Sequence, residues 1–406
     1  MHVCLLNMQI EYYSPVSGGA IAAVTMEYAR NLEAMGHRVT VLTALNGDEP
    51  YREGEVVPLA VRTRDSLSFI ERRISDLRRK MNSWDYPYYE YYMRSFKGAL
   101  ARLSPAPDVV LLHNDLVSAR YIKQALPRTK VALMLHNETR TVQRDKKKAL
   151  AAVDAFLPLG DYIRNWTASA HPVPTAKLAP IRNGVDIDTF KPRAAYLDAA
   201  SPVRVLFVGR IDPNKGPDIA ADAVAQLRKE GLPVTLTVAG GLWFYGHGRE
   251  MEDPYFRLLK IKMDVAGADY RGHVNRNRIP ELMRGHDIVC ILSRSQEPYA
   301  LVTLEAMASG CAVIASKRGG LPEASGGAAI LVEPEDFESV AAALRSLVSD
   351  PELLRAQKLK SIRRAATQTW KAKTEILEGI FRQLCGAGSE SAPGQRRVEE
   401  PEEAFH

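Results

Sequence analysis

The chain of 406 residues is 46% hydrophobic and 25% charged, and its formal net charge is +6. This length exceeds one ordinary hydrophobic core and predicts two domains, and the composition is typical of a soluble globular protein rather than a disordered one. No apolar run is long enough to span a bilayer, and the strand-like start lacks the basic segment of a signal peptide. The basic surplus favours anionic ligands or a membrane surface as partners, and no nucleic-acid-binding motif accompanies it. The four cysteines are scattered, so we expect reduced thiols, a cytoplasmic location and no metal site.

The first half of the chain alternates strand-like with helix-like runs. Short apolar runs predict strands at residues 3–8, 39–42, 109–112 and 131–135, and helical spacing predicts a helix at 20–35. A strand, a helix and a second strand in this order indicate a parallel sheet. We therefore expect residues 1–180 to form a doubly wound, Rossmann-like domain.

The second half repeats this pattern after a linker. Proline and Asn-Gly residues that interrupt regular structure mark residues 181–200 as that linker. Strands are then predicted at 203–208, 234–239, 288–292 and 312–315, and helices at 218–229 and 255–266. The expected fold class is α/β, with a second doubly wound domain at 201–365 facing the first across a cleft. Ligands of such sheets bind at the carboxyl ends of the strands. Residues 386–406, rich in Gly, Ser, Pro and Glu, are predicted to be a disordered tail.

Two cations follow the first strand of the second domain. The run Gly209-Arg-Ile-Asp-Pro-Asn-Lys-Gly216 contains Arg210 and Lys215 on one loop at a strand end. A diphosphate leaving group gains negative charge as it departs, and two cations on such a loop can stabilise that charge. We interpret the loop as a diphosphate site, and a plain connecting loop with solvated cations is the alternative.

Glu297 and Glu305 bracket the run Glu-Pro-Tyr-Ala-Leu-Val-Thr-Leu-Glu. Residues 301–309 are predicted to form a helix, and the N–H groups of Leu301 and Val302 at its start can bind an anion. A carboxylate suits the neighbouring hydroxyls of a ribose or a hexose, so both glutamates are candidates for sugar binding. The alternative is a core helix with one exposed glutamate.

The first half offers weaker signals at its strand ends. Gly18 and Gly19 follow the first strand, and without Cβ atoms their backbone can approach a phosphate or a sugar; an ordinary turn is the alternative. His113 and His136 each end a predicted strand, so either imidazole can hydrogen-bond a sugar in the cleft or serve a structural role. Neither G-x-G-x-x-G nor G-x-x-x-x-G-K-[ST] occurs, which argues against dinucleotide oxidoreductases and P-loop ATPases.

In combination these motifs make the chain similar to the family 4 glycosyltransferases, retaining enzymes of the GT-B fold. The resemblance covers nearly the whole chain except Arg62–Phe96 and the tail. It is carried by the glutamate pair, the Gly-Arg to Lys-Gly loop, the Gly272-His-Val274 turn, Asn183-Gly-Val-Asp186 and Gly319-Gly-Leu-Pro-Glu323. The chain departs from the family at Ala300, where glycine is usual.

The resemblance implies a role for each candidate residue. Arg210 and Lys215 would bind the diphosphate, Glu305 the ribose and Glu297 the donor hexose. His136 would contact the reacting sugar, and the backbone of Val274 would contact the base. The donor cleft would be lined by Gly18, Gly19, Leu301 and Val302. A helix at about 366–385 would pack back on the N-terminal domain, which would bind the acceptor. The resemblance implies no cofactor and no metal ion.

We therefore expect a retaining hexosyltransferase. It would move a sugar from a nucleotide-diphosphate sugar, with UDP favoured over GDP, to the hydroxyl of a small-molecule, glycan or lipid-linked acceptor. A nucleotide-sugar epimerase on the same fold and an inactive sugar-nucleotide-binding module are the alternatives.

The segment Arg62–Phe96 has no counterpart in this resemblance. Apolar residues recur in it at helical spacing beside several arginines, and six aromatic residues follow from Trp84 to Tyr92. Three interpretations remain open: a solvated helix followed by core aromatics, a wall of rings that stacks on the acceptor, and a helix that lies on a membrane surface.

Overall fold

The computed structural model describes residues 1–8, 11–16, 19–60, 68–82, 89–138, 146–194, 197, 202–242 and 250–386. Gly18, the aromatic residues Trp84 to Tyr88 and the predicted tail from residue 387 onward lie outside the described residues. Among the described helices, none combines the length and the apolar character needed to cross a bilayer.

A six-stranded parallel sheet organises the N-terminal half, with the strand order β3-β2-β1-β4-β5-β6. Its strands are β1 (His2–Leu6), β2 (Arg38–Ala44), β3 (Glu55–Leu59), β4 (Val109–His113), β5 (Lys130–Leu135) and β6 (Ala155–Pro158). Its helices are α1 (Ala20–Ala34), α2 (Phe69–Asn82), α3 (Tyr89–Arg102), α4 (Leu116–Ala125), α5 (Lys146–Ala151) and α6 (Gly160–Ala170). The central strand β1 is buried along its whole length, as expected where helices cover both faces of a parallel sheet.

The C-terminal half has the same topology. Its strand order is β12-β11-β10-β7-β8-β9, which is the N-terminal order read from the opposite edge of the sheet. Its strands are β7 (Val203–Val208), β8 (Val234–Ala239), β9 (Asp269–Tyr270), β10 (Ile288–Ile291), β11 (Ala312–Ser316) and β12 (Ile330–Val332). Its helices are α7 (Pro217–Lys229), α8 (Pro254–Ala266), α9 (Ile279–Arg284), α10 (Leu301–Ala308), α11 (Leu321–Ser325), α12 (Phe337–Ser349) and α13 (Pro351–Ala366). The α/β prediction of two doubly wound, Rossmann-like domains is confirmed, because both sheets are parallel and share one strand order.

The last described helix, α14 (Trp370–Leu384), returns to the N-terminal half. Thr369 caps its start by accepting a hydrogen bond from the backbone N–H of Ala372. The ring of Trp370 meets the ring of Tyr28 on α1 edge to face, with centroids 5.5 Å apart. Leu377 and Phe381 are buried in the same apolar cluster as α1 and β1. This helix therefore packs against the N-terminal domain.

A carboxylate also joins the two halves. Glu323 on α11 accepts hydrogen bonds from the backbone N–H of Asp161 at 2.7 Å and from Arg182 Nε at 2.5 Å. Gly160 precedes Asp161 with φ of 73°, and a Cβ there would lie 2.6 Å from the Glu323 carboxylate. Glycine is therefore required for this close approach.

The segment Arg62–Phe96 contains α2 and the first part of α3, which differ in burial. On α3, Tyr92 and Phe96 are almost fully buried and their rings stack with centroids 6.2 Å apart. These two aromatic residues therefore belong to the core. On α2, by contrast, the apolar residues Phe69, Ile70 and Leu77 face solvent.

A buried ionic cluster stabilises the C-terminal sheet. Asp287, fully buried before β10, accepts hydrogen bonds from Arg204 Nε at 2.9 Å and from Lys358 Nζ at 2.8 Å. Burial alone would raise the pKa of Asp287, but the hydrogen bonds from Arg204 and Lys358 outweigh it and hold the pKa below its usual range. The cluster thereby connects β7, β10 and α13 through charge.

We predict that Lys358→Met lowers the free energy of unfolding by about 3 kcal/mol, because it leaves a buried carboxylate short of one partner. Urea unfolding measures this, with Lys360→Met on the exposed side of the same helix as the matched control. The folded-state pKa of Asp287 lies below the unfolded value of about 3.9, so its contribution is present above that pH and is lost as the pH falls through the folded value. Equal stability of the two variants at pH 7 would contradict the role of the cluster.

Candidate functional site

A cavity of about 360 Å³ opens between the two halves at the carboxyl ends of their strands. The N-terminal half contributes Pro15, Val16, Gly19 and Ala20 to its lining. The C-terminal half contributes Phe207, Val208, Gly209, Arg210, Lys215, His273, Val274, Arg276, Ile279, Cys290, Ile291, Ser293, Glu297, Ala300, Leu301, Val302 and Glu305. The structure thus brings most of the candidate residues to one cavity, and Gly18 lies outside the described residues.

The loop after β7 presents two cations to this cavity. Arg210 is 40% exposed, and its Nε lies 3.5 Å from Asp212 Oδ2. Lys215 is followed by Gly216, whose φ is 70° and whose missing Cβ would lie 2.2 Å from the carbonyl oxygen of Leu292. Only glycine fits this turn, so the backbone fixes where Lys215 enters the cavity.

Glu297 is held both by its side chain and by its backbone. Its carboxylate forms an ion pair with Lys215 Nζ and accepts a hydrogen bond from Ser293 Oγ at 3.1 Å. Its carbonyl oxygen accepts a hydrogen bond from the N–H of Gly320 at 2.7 Å. A Cβ at Gly319 would lie 2.2 Å from that carbonyl oxygen, which explains a glycine pair in front of α11.

The start of α10 faces the same cavity. Ala300 precedes the helix with φ of 52° and ψ of 96°, and its side chain cannot cap the first N–H groups. A left-handed φ strains an alanine but not a glycine, which explains why glycine is usual here in the resemblance above. Leu301 and Val302 line the cavity beside this uncapped helix start, an arrangement that favours an anion.

Glu305 is paired with a residue that the sequence reasoning missed. The Glu305 carboxylate is 5% exposed and forms an ion pair with Arg276 Nη2. The Arg276 guanidinium also lies 5.9 Å from the ring centroid of Phe190. Burial alone would lower the pKa of Arg276, but the Glu305 charge outweighs it and raises the pKa, so Arg276 stays charged. Its position two residues after Val274 was the only signal in the sequence.

Another carboxylate that the sequence did not reveal lies beside Gly19, which lines the N-terminal side of the cavity. A Cβ on Gly19 would lie 2.5 Å from Glu11 Cδ, so the Glu11 carboxylate fills the space beside this glycine. Glu11 Oε2 accepts a hydrogen bond from the N–H of Ala22 at 3.0 Å. Burial raises the pKa of Glu11. The first turn of α1 therefore already binds an anion of the chain itself.

His136 is buried behind the cavity rather than among its lining residues. Its Nε2 lies 2.8 Å from His113 Nδ1, and His113 Nε2 lies 3.3 Å from Thr25 Oγ1. Burial lowers the pKa of His136 to about 4, and burial with the neighbouring His136 lowers that of His113 well below its usual range. Both rings are therefore neutral at pH 7. The structure joins the two candidate histidines in one hydrogen-bonded pair.

Within the parts of the chain that the structure describes, no group of three or more His, Cys, Asp or Glu side chains is arranged to hold a metal ion.

Known proteins resemble the chain in sequence and in fold. D-inositol 3-phosphate glycosyltransferase from Mycobacterium bovis is 34% identical over 243 residues, which are 56% of this chain and 48% of that protein. The chain spans about half the length of the curated relatives it matches. Sucrose-phosphate synthase from Thermosynechococcus elongatus superposes with a TM-score of 0.72 at 18% identity, covering 96% of this chain and 100% of that chain. Anabaena HepE in complex with UDP and glucose superposes with a TM-score of 0.68 at 18% identity, covering 94% and 100%.

Two family models match consecutive parts of the chain. The model described as Glycosyltransferase Family 4 matches residues 18–189, and the model described as Glycosyl transferases group 1 matches residues 191–367. Together they leave only residue 190 unmatched between 18 and 367, so the expectation that Arg62–Phe96 lies outside the family resemblance was wrong. The two parallel sheets have the GT-B arrangement of the superposed structures. The chain belongs to the family 4 glycosyltransferases.

Proposed function

We propose that the chain transfers a hexose-type sugar from a nucleoside-diphosphate sugar to an acceptor hydroxyl, with retention of anomeric configuration and without a metal ion. This proposal rests on the cavity between the two halves, which is lined by the cations Arg210 and Lys215, the uncapped start of α10 and the carboxylates of Glu297 and Glu305. UDP is the favoured nucleotide over GDP, since HepE, a neighbour in fold, binds UDP. The proposal includes a cytoplasmic location for the protein.

The diphosphate is the anion that this cavity suits best. Arg210, Lys215 and the start of α10 lie on its C-terminal side. As the bond between sugar and phosphate breaks, negative charge develops on the leaving diphosphate, and fixed positive groups stabilise it at little reorganisation cost. Lys215 then exchanges part of its contact with Glu297 for a phosphate oxygen, which releases the Glu297 carboxylate to accept hydrogen bonds from the donor hexose.

Glu305 serves the ribose in this scheme. A buried carboxylate can accept from both ribose hydroxyls, and the ion pair with Arg276 holds it in a fixed orientation. The backbone of Val274 on the same wall of the cavity is available to the base. Arg276 is thus a positioning residue for the nucleotide.

A neutral His136 suits a hydrogen bond to the reacting sugar rather than a charge interaction. The Thr25 hydroxyl donates to the carbonyl oxygen of Ile21 at 2.9 Å, so His113 Nε2 donates to Thr25 Oγ1. His113 Nδ1 then accepts from His136 Nε2, which leaves His136 Nδ1 as an acceptor for a sugar hydroxyl. A fixed tautomer orients the ring at the end of β5.

The proposal is tested by a thermal-shift screen of UDP- and GDP-sugars followed by product analysis. A ligand present at one hundred times its dissociation constant should stabilise the protein by about 2.7 kcal/mol. The best donor is then incubated with a panel of hydroxyl acceptors, with and without EDTA, and the anomeric configuration of the product is read by NMR. Retained configuration in EDTA supports the proposal. An isomerised donor without acceptor indicates the epimerase, and binding without any product indicates the inactive module.

We predict that Lys215→Ala and Arg210→Ala each lower turnover by roughly tenfold to a thousandfold, because each removes a group that stabilises the leaving charge. Lys229→Ala, on the exposed end of α7, is the matched control and should match wild type. Steady-state kinetics on folded protein measures this. Near-normal turnover in both cavity variants would remove the diphosphate assignment.

We predict that His136 stays neutral from pH 8 to pH 5.5, because burial lowers its pKa to about 4. The ring nitrogen shifts in ¹⁵N NMR report protonation, and the spectrum of His136→Asn assigns the signal. Histidines of the urea-unfolded chain, with pKa near 6.5, provide the reference titration. A midpoint near 6.5 for His136 in the folded protein would rule out the buried neutral ring.

A further inference from the structure

Helix α2 presents an apolar stripe to solvent that the site described above does not use. Phe69, Ile70, Ile74 and Leu77 are 71%, 69%, 45% and 59% exposed. The last three recur at spacings of four and three, so they form one stripe along the helix. Large apolar side chains that are exposed together mark an interaction surface, whereas single exposed ones do not.

The sequence of α2 specifies this helix independently of a partner. Ser68 accepts a hydrogen bond at its Oγ from the N–H of Glu71, and the Glu71 carboxylate accepts from the N–H of Ser68 at 2.9 Å. This reciprocal cap starts the helix. The partly covered side of the helix carries Arg72 and Asp76. The exposed stripe is therefore a fixed feature of the folded chain.

The stripe lies on a basic helix, and Arg73 is beside it. The fourteen residues of α2 include five Arg or Lys and two acidic residues, a formal surplus of three positive charges. At 100° per residue, Arg73 falls on one flank of the stripe. The Arg73 guanidinium lies 5.3 Å from the ring centroid of Phe69, beside the apolar edge. Apolar residues beside cations are typical of helices that lie in the interface of an anionic bilayer, where long basic side chains reach the headgroups.

A second exposed stripe, on α8, shows why charge decides the partner. Leu258, Ile261 and Val265 are 61%, 63% and 72% exposed. Two of the three basic residues of α8 are paired with carboxylates, Lys260 with Asp264 and Lys262 with Asp222, and Arg257 donates hydrogen bonds to backbone carbonyl oxygens. Residues 250–266, which include α8 and the acidic segment before it, contain three basic and four acidic residues. This stripe therefore has similar exposure but no surplus of positive charge, and it serves as an internal comparison.

We propose that α2 docks the protein on the surface of an anionic lipid bilayer, with the stripe of Ile70, Ile74 and Leu77 in the interface and Arg73 on the headgroups. The helix is roughly 21 Å long at 1.5 Å per residue, which allows it to lie flat. It follows β3, whose carboxyl end is at the cleft edge of the N-terminal sheet. Because α2 belongs to the N-terminal half, docking through it would hold that half at the membrane, and the acceptor-binding role of that half rests on the proposed function.

The docking itself is tested without any substrate, so its outcome is independent of the proposed function. The full chain is mixed with vesicles of phosphatidylcholine alone or with 30% phosphatidylglycerol, and the bound fraction is measured by co-sedimentation. We expect binding to the mixed vesicles that exceeds binding to the neutral ones by roughly fivefold for each cation on the headgroups, and that weakens at high salt. Equal binding to both vesicles would overturn the proposal.

Variants assign the binding to α2. Ile70→Ser/Leu77→Ser should weaken vesicle affinity on the order of a hundredfold, and Arg73→Ser should weaken it about fivefold for the mixed vesicles only. Ile261→Ser/Val265→Ser on α8 is the matched control and should bind like wild type. Circular dichroism confirms folding, and Arg73→Ser keeps the test valid if the double variant is unstable. Wild-type binding by both α2 variants would overturn the proposal, as would a wild-type dimer in sedimentation velocity that the double variant dissociates.

Discussion

The arrangement of the cleft depends on two ion pairs between carboxylates and cations, Lys215 with Glu297 and Arg276 with Glu305. A site for an anionic diphosphate that also contains two carboxylates would repel its ligand if those carboxylates stood alone. Pairing each one with a cation offsets that repulsion, and Arg210 adds a further positive group on the diphosphate side. The same pairs place the hydroxyl-binding groups next to the phosphate-binding groups.

The fold positions these pairs through close backbone contacts. Gly216 allows the Lys215 loop to approach Leu292, and Gly319 and Gly320 allow the next loop to approach the backbone of Glu297. That second loop leads directly to Glu323, which bonds to the N-terminal half. The contact with the Glu297 backbone and the contact between the halves are therefore a few residues apart on this loop, which gives a short physical route between donor binding and domain position.

Much of the fold was predictable from the sequence. The interior strands β1, β2, β4, β5, β7, β8, β10 and β11 were predicted because buried parallel strands are continuous apolar runs. The edge strands were not assigned. Two of them, β9 and β12, have only two and three residues, and β3 contains Pro58, so their patterns are too short or too irregular to detect.

The candidate site was predictable where its residues lie in local motifs, and less so where they meet across the fold. Glu297, Glu305 and the cations of the β7 loop are close together in sequence or match a family pattern, and the structure brings them to one cavity. Arg276 and Glu11 were missed because their partners are 29 and 11 residues away. His113 and His136 are 23 residues apart, and they form a hydrogen bond because β4 and β5 are neighbours in the sheet. The sequence predicts that both strands belong to one sheet, but it does not predict that they are adjacent.

The central claim is that Glu305 binds the nucleotide and Glu297 the transferred sugar. Calorimetric titration of the bare nucleoside diphosphate into wild type, Glu305→Ala and Glu297→Ala tests it most directly. Loss of hydrogen bonds to a charged group costs about 1.5–3 kcal/mol, so Glu305→Ala should weaken binding by roughly tenfold to a hundredfold, and Glu297→Ala should bind nearly as wild type. Normal affinity in Glu305→Ala together with lost affinity in Glu297→Ala would contradict the account.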